Sequence, residues 1–132
     1  MSFLLDTDIG SAYLKNHPRV RAQVTIHYGR LHVSAVTVGE LMVWALRAKA
    51  PPKRLRSVEK LLLGCHILNV DREVAETFGW IRAGLLDIGR PVGELDLLNA
   101  AVALVYGLTV VTHNVADYRD VPGLSIVDWM SP

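Results

Sequence analysis

Phe3-Leu4-Leu5-Asp6-Thr7-Asp8-Ile9 governs how the other segments are interpreted, because a short apolar run gives way at once to acidic and hydroxyl-bearing residues. An apolar run of this length predicts a buried strand. In a central position of a parallel sheet such a strand carries Asp6 at its carboxyl end, where open α/β sheets bind their ligands. Asp6, Thr7 and Asp8 also suit the cap of a following helix, and these residues alone leave both readings open.

The same pattern recurs further along the chain. Leu31 to Val36 predicts a second strand feeding a helix through Thr37-Val38-Gly39-Glu40. Thr37 followed three residues later by Glu40 reads as a capping box, with Leu41, Trp44 and Ala48 as the core stripe of that helix. Leu108 to Val111 predicts a strand that runs into Thr112-His113-Asn114-Val115-Ala116-Asp117-Tyr118. Between these lie a helix from about Pro18 to Tyr28, a helix closed by Leu61 to Leu63 and Gly64, and a short strand from His66 to Val70. Asp71 caps a long helix with an apolar seam of Val74, Phe78, Ile81, Leu85 and Ile88. Another helix starts at Glu94-Leu95-Asp96 and ends at Gly107, so Asp96 lies in its first turn, where a carboxylate favours the positive end of the helix dipole. Leu124 to Trp129 supplies the last strand. Alternating strands and helices predict an α/β fold with a parallel sheet covered on both faces, in one domain over residues 1–132.

Composition sets bounds. The chain has 132 residues, 51% of them hydrophobic, which is enough to bury a core without disulfides and leaves apolar surplus for an interface. With 14 Lys+Arg against 13 Asp+Glu the net charge is +1, so bulk charge announces no nucleic-acid binder and local charge must decide. Between Arg47 and Lys60, Arg47, Lys49, Lys53, Arg54, Arg56 and Lys60 face only Glu59 in opposition. That segment reads either as a solvated helix face or as a surface for phosphates or an acidic partner. A single Cys65 excludes an internal disulfide, and no Cys/His spacing fits a zinc site. With no signal-like leader and no apolar stretch near the roughly 18 residues of a membrane span, a cytoplasmic protein without membrane attachment is expected.

Asp6, Glu40, Asp96 and Asp117 each stand at an element boundary that a parallel sheet would bring to one edge. Each alone is explained by capping. Four together would repel one another, since a pair of like charges ~4 Å apart costs about 4 kcal/mol at an effective dielectric of ~20. A cation relieves that repulsion, and oxygen-only ligation selects a hard ion, Mg²⁺ or Mn²⁺, the ions of metal-assisted phosphodiester hydrolysis.

The stretches Leu4 to Ile9, Ser34 to Leu41, Gly79 to Ala83 with Gly93 to Ala101, and Val111 to Tyr118 with Pro122-Gly123-Leu124 and Asp128-Trp129 together resemble the PIN-domain ribonuclease toxins of the VapC kind. The resemblance spans essentially the whole chain. It implies a three-layer α/β/α fold with a central, mainly parallel five-stranded sheet, Mg²⁺-dependent endonucleolytic cleavage of RNA, a homodimer, and a cognate antitoxin that occupies the active-site groove. On that pattern Asp6 and Asp96 are metal ligands, Glu40 is a ligand or positions the attacking water, and Asp117 completes the pocket with Asp120 as a nearby rival. Thr7 and Asn114 supply supporting hydrogen bonds, and His113 is left a structural role. Two positions depart from the family pattern: Asp8 stands where Asn is usual, and Asn99 where an apolar residue is favoured. The competing readings are a PIN-fold nuclease that processes RNA or cuts DNA without being a toxin, and a non-catalytic binding module whose carboxylates are only caps.

Overall fold

The computed structural model describes residues 1–132. In chain order the elements are β1 (Phe3–Leu5), α1 (Thr7–Leu14), α2 (Pro18–Ile26), β2 (Leu31–Ser34), α3 (Ala35–Leu46), α4 (Lys53–Leu63), β3 (His66–Leu68), α5 (Arg72–Asp87), α6 (Glu94–Tyr106), β4 (Thr109–Val111), α7 (Val115–Tyr118) and β5 (Ile126–Val127). All five strands pair in parallel in the order β3-β2-β1-β4-β5. The strand order reverses between β1 and β4, and this is the crevice where open α/β sheets place ligands.

Alternation along β1 builds the three layers. Leu4 points to a core shared with Val74, Ile81 and Leu85 of α5, Leu97 and Ala100 to Ala103 of α6, and Val110 of β4. Phe3 and Leu5 point to the other side, against Ile9 and Ala12 of α1, Val20 and Val24 of α2, and Val111. A smaller cluster of Leu41, Ala45, Val58 and Leu61 joins α3 to α4. Every residue of β1 and β4 is buried, so neither strand has a charged face, and Thr109 is the one polar residue of the two. Ala100 and Ala101 at 0% exposure let α6 lie close on the sheet. Gly107 ends that helix at φ 67°, a left-handed conformation that only glycine adopts without strain.

Three local expectations fail. Strand β2 ends at Ser34, and Ser34, not Thr37, caps α3, accepting the Thr37 N–H at 3.2 Å. The capping box is therefore overturned: the helix starts one turn earlier, the Ser34 hydroxyl takes the Thr37 amide, and Glu40 is left in the second turn of α3. Ala45 joins Leu41 on the buried stripe, Trp44 packs partly buried against the same cluster, and Ala48 is exposed because α3 stops at Leu46. Ile88 is 67% exposed because it lies past the end of α5.

Candidate active site

Asp6 follows β1 directly, with extended backbone, and is 6% exposed. An ordinary helix cap gives its side chain to the amide two or three residues on. Here the amides of Ile9 and Gly10 go instead to the Asp6 backbone carbonyl, at 3.1 Å each. The carboxylate turns across the sheet: Oδ1 accepts the Thr7 N–H at 2.9 Å and Asn99 Nδ2 at 3.1 Å, and Oδ2 accepts the Thr112 hydroxyl at 3.0 Å. Three elements thus fix one side chain at the topological switch point. The cap explains little of this.

The other acids face the same space. Asp96, in the first turn of α6, accepts the Tyr118 hydroxyl at 3.3 Å. Burial, then the charges of Asp6 and Asp117 and, more weakly, Glu40, push its carboxyl up to about 6 against the Tyr118 hydrogen bond. Asp96 therefore feels each of the other three acids. Glu40 accepts the Thr7 hydroxyl at 2.6 Å, and Asp117 accepts Asn114 Nδ2 at 2.6 Å, so Thr7 and Asn114 hold the two less buried acids. Asp120, the rival to Asp117, is paired with Arg90 at 3.0 Å. His113 pairs its ring with Asp128 at 2.9 Å.

Several polar residues around these acids lie outside the set assigned from sequence, some with a signal there and some without. Asn99 is 1% exposed and satisfies its whole amide: it accepts the Ser34 hydroxyl and donates to Asp6 and to Thr37 Oγ1. Its position in the run Leu97-Leu98-Asn99-Ala100-Ala101, a polar residue inside an apolar one, was the clue. Ser34 inside Leu31–Val36 gave the same clue. Tyr118, 0% exposed, gave none. Asp8 proves to be a fifth acid: Oδ2 accepts the His113 N–H at 3.0 Å, while Oδ1 is buried without a partner. Burial and the Asp6 charge raise the Asp8 carboxyl above its ordinary value.

None of these five carboxylates is ion-paired with Lys or Arg. A donor set of oxygens alone, uncompensated charge and one orphaned buried oxygen suit a hard divalent cation. As the side chains stand, no group of three or more His, Cys, Asp or Glu gathers closely enough to hold one. The acids share a space without closing on a point.

The PIN domain family model matches residues 3–124. The tRNA(fMet)-specific endonuclease VapC of Salmonella typhimurium is 35% identical over 130 residues, covering 98% of each chain. Ribonuclease VapC2 of Haemophilus influenzae is 30% identical over 131 residues, covering 98% of this chain and 99% of that protein. Among solved structures, DNA-bound VapBC from Salmonella typhimurium superposes with a TM-score of 0.92 at 35% identity over 98% of both chains. With the family pattern matched over nearly its full length and the acidic residues at the sheet's switch point, the chain belongs to the PIN-domain family and, within it, to the VapC proteins.

Proposed function

We propose that the chain is a metal-dependent endoribonuclease and the toxin of a type II toxin–antitoxin pair. The observation that carries the catalytic reading is Asp96, whose carboxyl is held at about 6 by burial and by the charges of Asp6, Asp117 and Glu40 around it. Acids brought together at a switch point without a counter-cation are what a metal-dependent phosphodiesterase requires. Asp6, Asp96, Glu40 and Asp117 would hold Mg²⁺, with Mn²⁺ as the substitute. A bound Mg²⁺ would lower the pKa of its water and neutralise charge developing on the phosphate.

The chain's own groups have separable tasks. Thr7 N–H, Asn99 and Thr112 fix both oxygens of Asp6, so its orientation is set before any ligand arrives. Thr7 also orients Glu40, leaving one carboxylate oxygen free to position the attacking water or contact the metal. Tyr118 restrains Asp96 from the buried side. No side-chain nucleophile is needed.

RNA as substrate and an antitoxin as partner are supported by the relatives: the matched proteins are named ribonucleases or a tRNA endonuclease, and the matched structure is a VapBC complex. A homodimer accords with Trp80 at 82% exposure on α5 and Val43 and Leu46 above 60% on α3. Light scattering at micromolar concentration tests it, with a clean monomer against it.

The deciding experiment incubates purified protein with a total tRNA pool, a structured RNA and DNA of matching sequence, in Mg²⁺ and in chelator. Cleavage of RNA alone, abolished in chelator and in Asp96→Asn, is expected. Mg²⁺-independent cleavage, or none on any nucleic acid together with no Mg²⁺ effect on the melting temperature, would return the acids to capping and leave a binding module.

A further inference from the structure

Away from the acidic edge, a cleft of about 560 Å³ lies between α1, α2, α3 and α4, with Arg21, Lys53, Arg54 and Lys60 on its walls and no acid among the residues lining it. Its two arginines are held by one repeated device. Arg21 of α2 stacks over the Tyr13 ring at 4.2 Å and donates from Nε to the Tyr13 carbonyl at 3.2 Å. Arg54 of α4 stacks over the Trp44 ring at 4.8 Å and donates from Nη1 to the Trp44 carbonyl at 3.4 Å. Each guanidinium is thus pinned by the ring and the backbone of the same residue, leaving its other N–H donors for a ligand. Neither arginine nor either lysine has an acidic partner.

The cleft shares two wall residues with a groove that is lined in part by Glu40 of the candidate active site. Trp44 and Arg54 also wall a second groove, of about 780 Å³, which carries Arg47 and Lys49 and has Glu40 as its only acid. A polyanion with one phosphate at the acidic edge would therefore find six unpaired cations on its way past Trp44. Pre-oriented arginines match phosphate oxygens in pairs and give up less side-chain freedom on binding than free ones do.

We propose that this cleft is a phosphate-binding site that grips the RNA backbone flanking the cleaved bond. The proposal rests on the ribonuclease reading above for its substrate. RNA is favoured over an acidic peptide because the matched relatives are named ribonucleases or a tRNA endonuclease and the cations approach Glu40 of the proposed catalytic set. The stacked arginines also join helices, but Lys53 and Lys60 are exposed and join nothing, so a purely structural role does not account for them.

The test measures binding of a labelled single-stranded RNA by fluorescence anisotropy, in chelator so that nothing is cut, over a range of salt. The proteins are the parent, Lys53→Gln with Lys60→Gln, and Arg21→Gln with Arg54→Gln. The lysine pair is exposed on α4 and keeps the question open if the arginine pair fails to fold. Neutralising one cation that meets a phosphate should flatten the dependence of log Kd on log salt by roughly 0.7, so about 1.4 for a pair, with weaker binding at low salt. Folded variants with the parent's slope would overturn the proposal, as would an undiminished RNA affinity in variants that no longer bind a poly-glutamate peptide. Parent cleavage of the same RNA in Mg²⁺ is scored separately. If the parent cuts and the variants keep its slope, the cleft falls and the ribonuclease reading stands; if the parent does not cut and the variants show the flatter slope, the cleft stands and that reading falls.

Discussion

The acidic edge of the sheet and the basic cleft beside α4 both gather like charges, and the chain supports them in opposite ways. At the acidic edge Asp6 is 6% exposed and fixed by three donors, and Asp8 carries a buried oxygen with no partner. In the cleft the cations lie toward solvent, and only the two arginines are held, by aromatic rings. Like charges ~4 Å apart repel by about 1 kcal/mol in water but about 4 kcal/mol at an effective dielectric of ~20. The basic cluster is therefore nearly neutral for the fold, whereas the acidic one opposes folding until something positive binds. Burial of like charge is itself an argument for a ligand; exposed like charge needs the further observation that side chains are pre-oriented.

The largest effect should come from removing one charge at the acidic edge. Asp96→Asn keeps the shape and the Tyr118 contact. It should lower RNA cleavage by more than about a hundredfold, on the scale of removed electrostatic catalysis, as single-turnover assays would show. The same change should raise the melting temperature of the metal-free protein and shrink the rise that Mg²⁺ gives the parent. Asp96 is a cleaner probe than Asp6, because Asp6→Asn would also turn an amide toward the donors of Asn99 or Thr112. A mutant that melts no higher in chelator would break the contrast between the two clusters.

Next in size is Asn99→Leu, which makes the run Leu97 to Ala101 apolar throughout. It strips Ser34 and Asp6 of a buried partner and should destabilise the protein by about 1–3 kcal/mol, measured by urea unfolding. Cleavage should fall less than in Asp96→Asn, since the Thr7 N–H and Thr112 still hold Asp6. Unchanged stability would show that the buried acid does not depend on this network.

A smaller effect concerns pH. The folded Asp96 carboxyl sits at about 6 against an ordinary 3.8, so between those values the folded state binds the proton that the unfolded state has released. This group's contribution to stability is therefore present below the ordinary value and lost as pH rises through about 6. Asp8 shifts in the same direction. Melting curves in chelator at about pH 5.5 and 7.5 should differ less for Asp96→Asn than for the parent. Smallest of all, Lys53→Gln with Lys60→Gln should move stability by no more than about 0.5 kcal/mol, as exposed charges do; a larger drop would erase the contrast from the basic side.

The central strands were legible in the order of residues alone, whereas the acids read there also as caps and took their site roles from the family resemblance. Phe3–Leu5 and Leu108–Val111 stood out because strands buried on both faces read as near-continuous apolar runs, and Asp6, Glu40, Asp96 and Asp117 because each stood near an expected element boundary. Local competition was less legible: Ser34 and Thr37 both suit a cap, and the backbone path of β2 into α3 chose Ser34. It took the folded arrangement to bring Asn99 and Thr112, 93 and 106 residues away along the chain, onto the two oxygens of Asp6. The same arrangement set Arg21 on Tyr13 and Arg54 on Trp44. Such contacts leave no periodic trace in the sequence, because a hydrogen bond or a stacked ring depends on which strands and helices become neighbours. That was decided here by β1 pairing between β2 and β4.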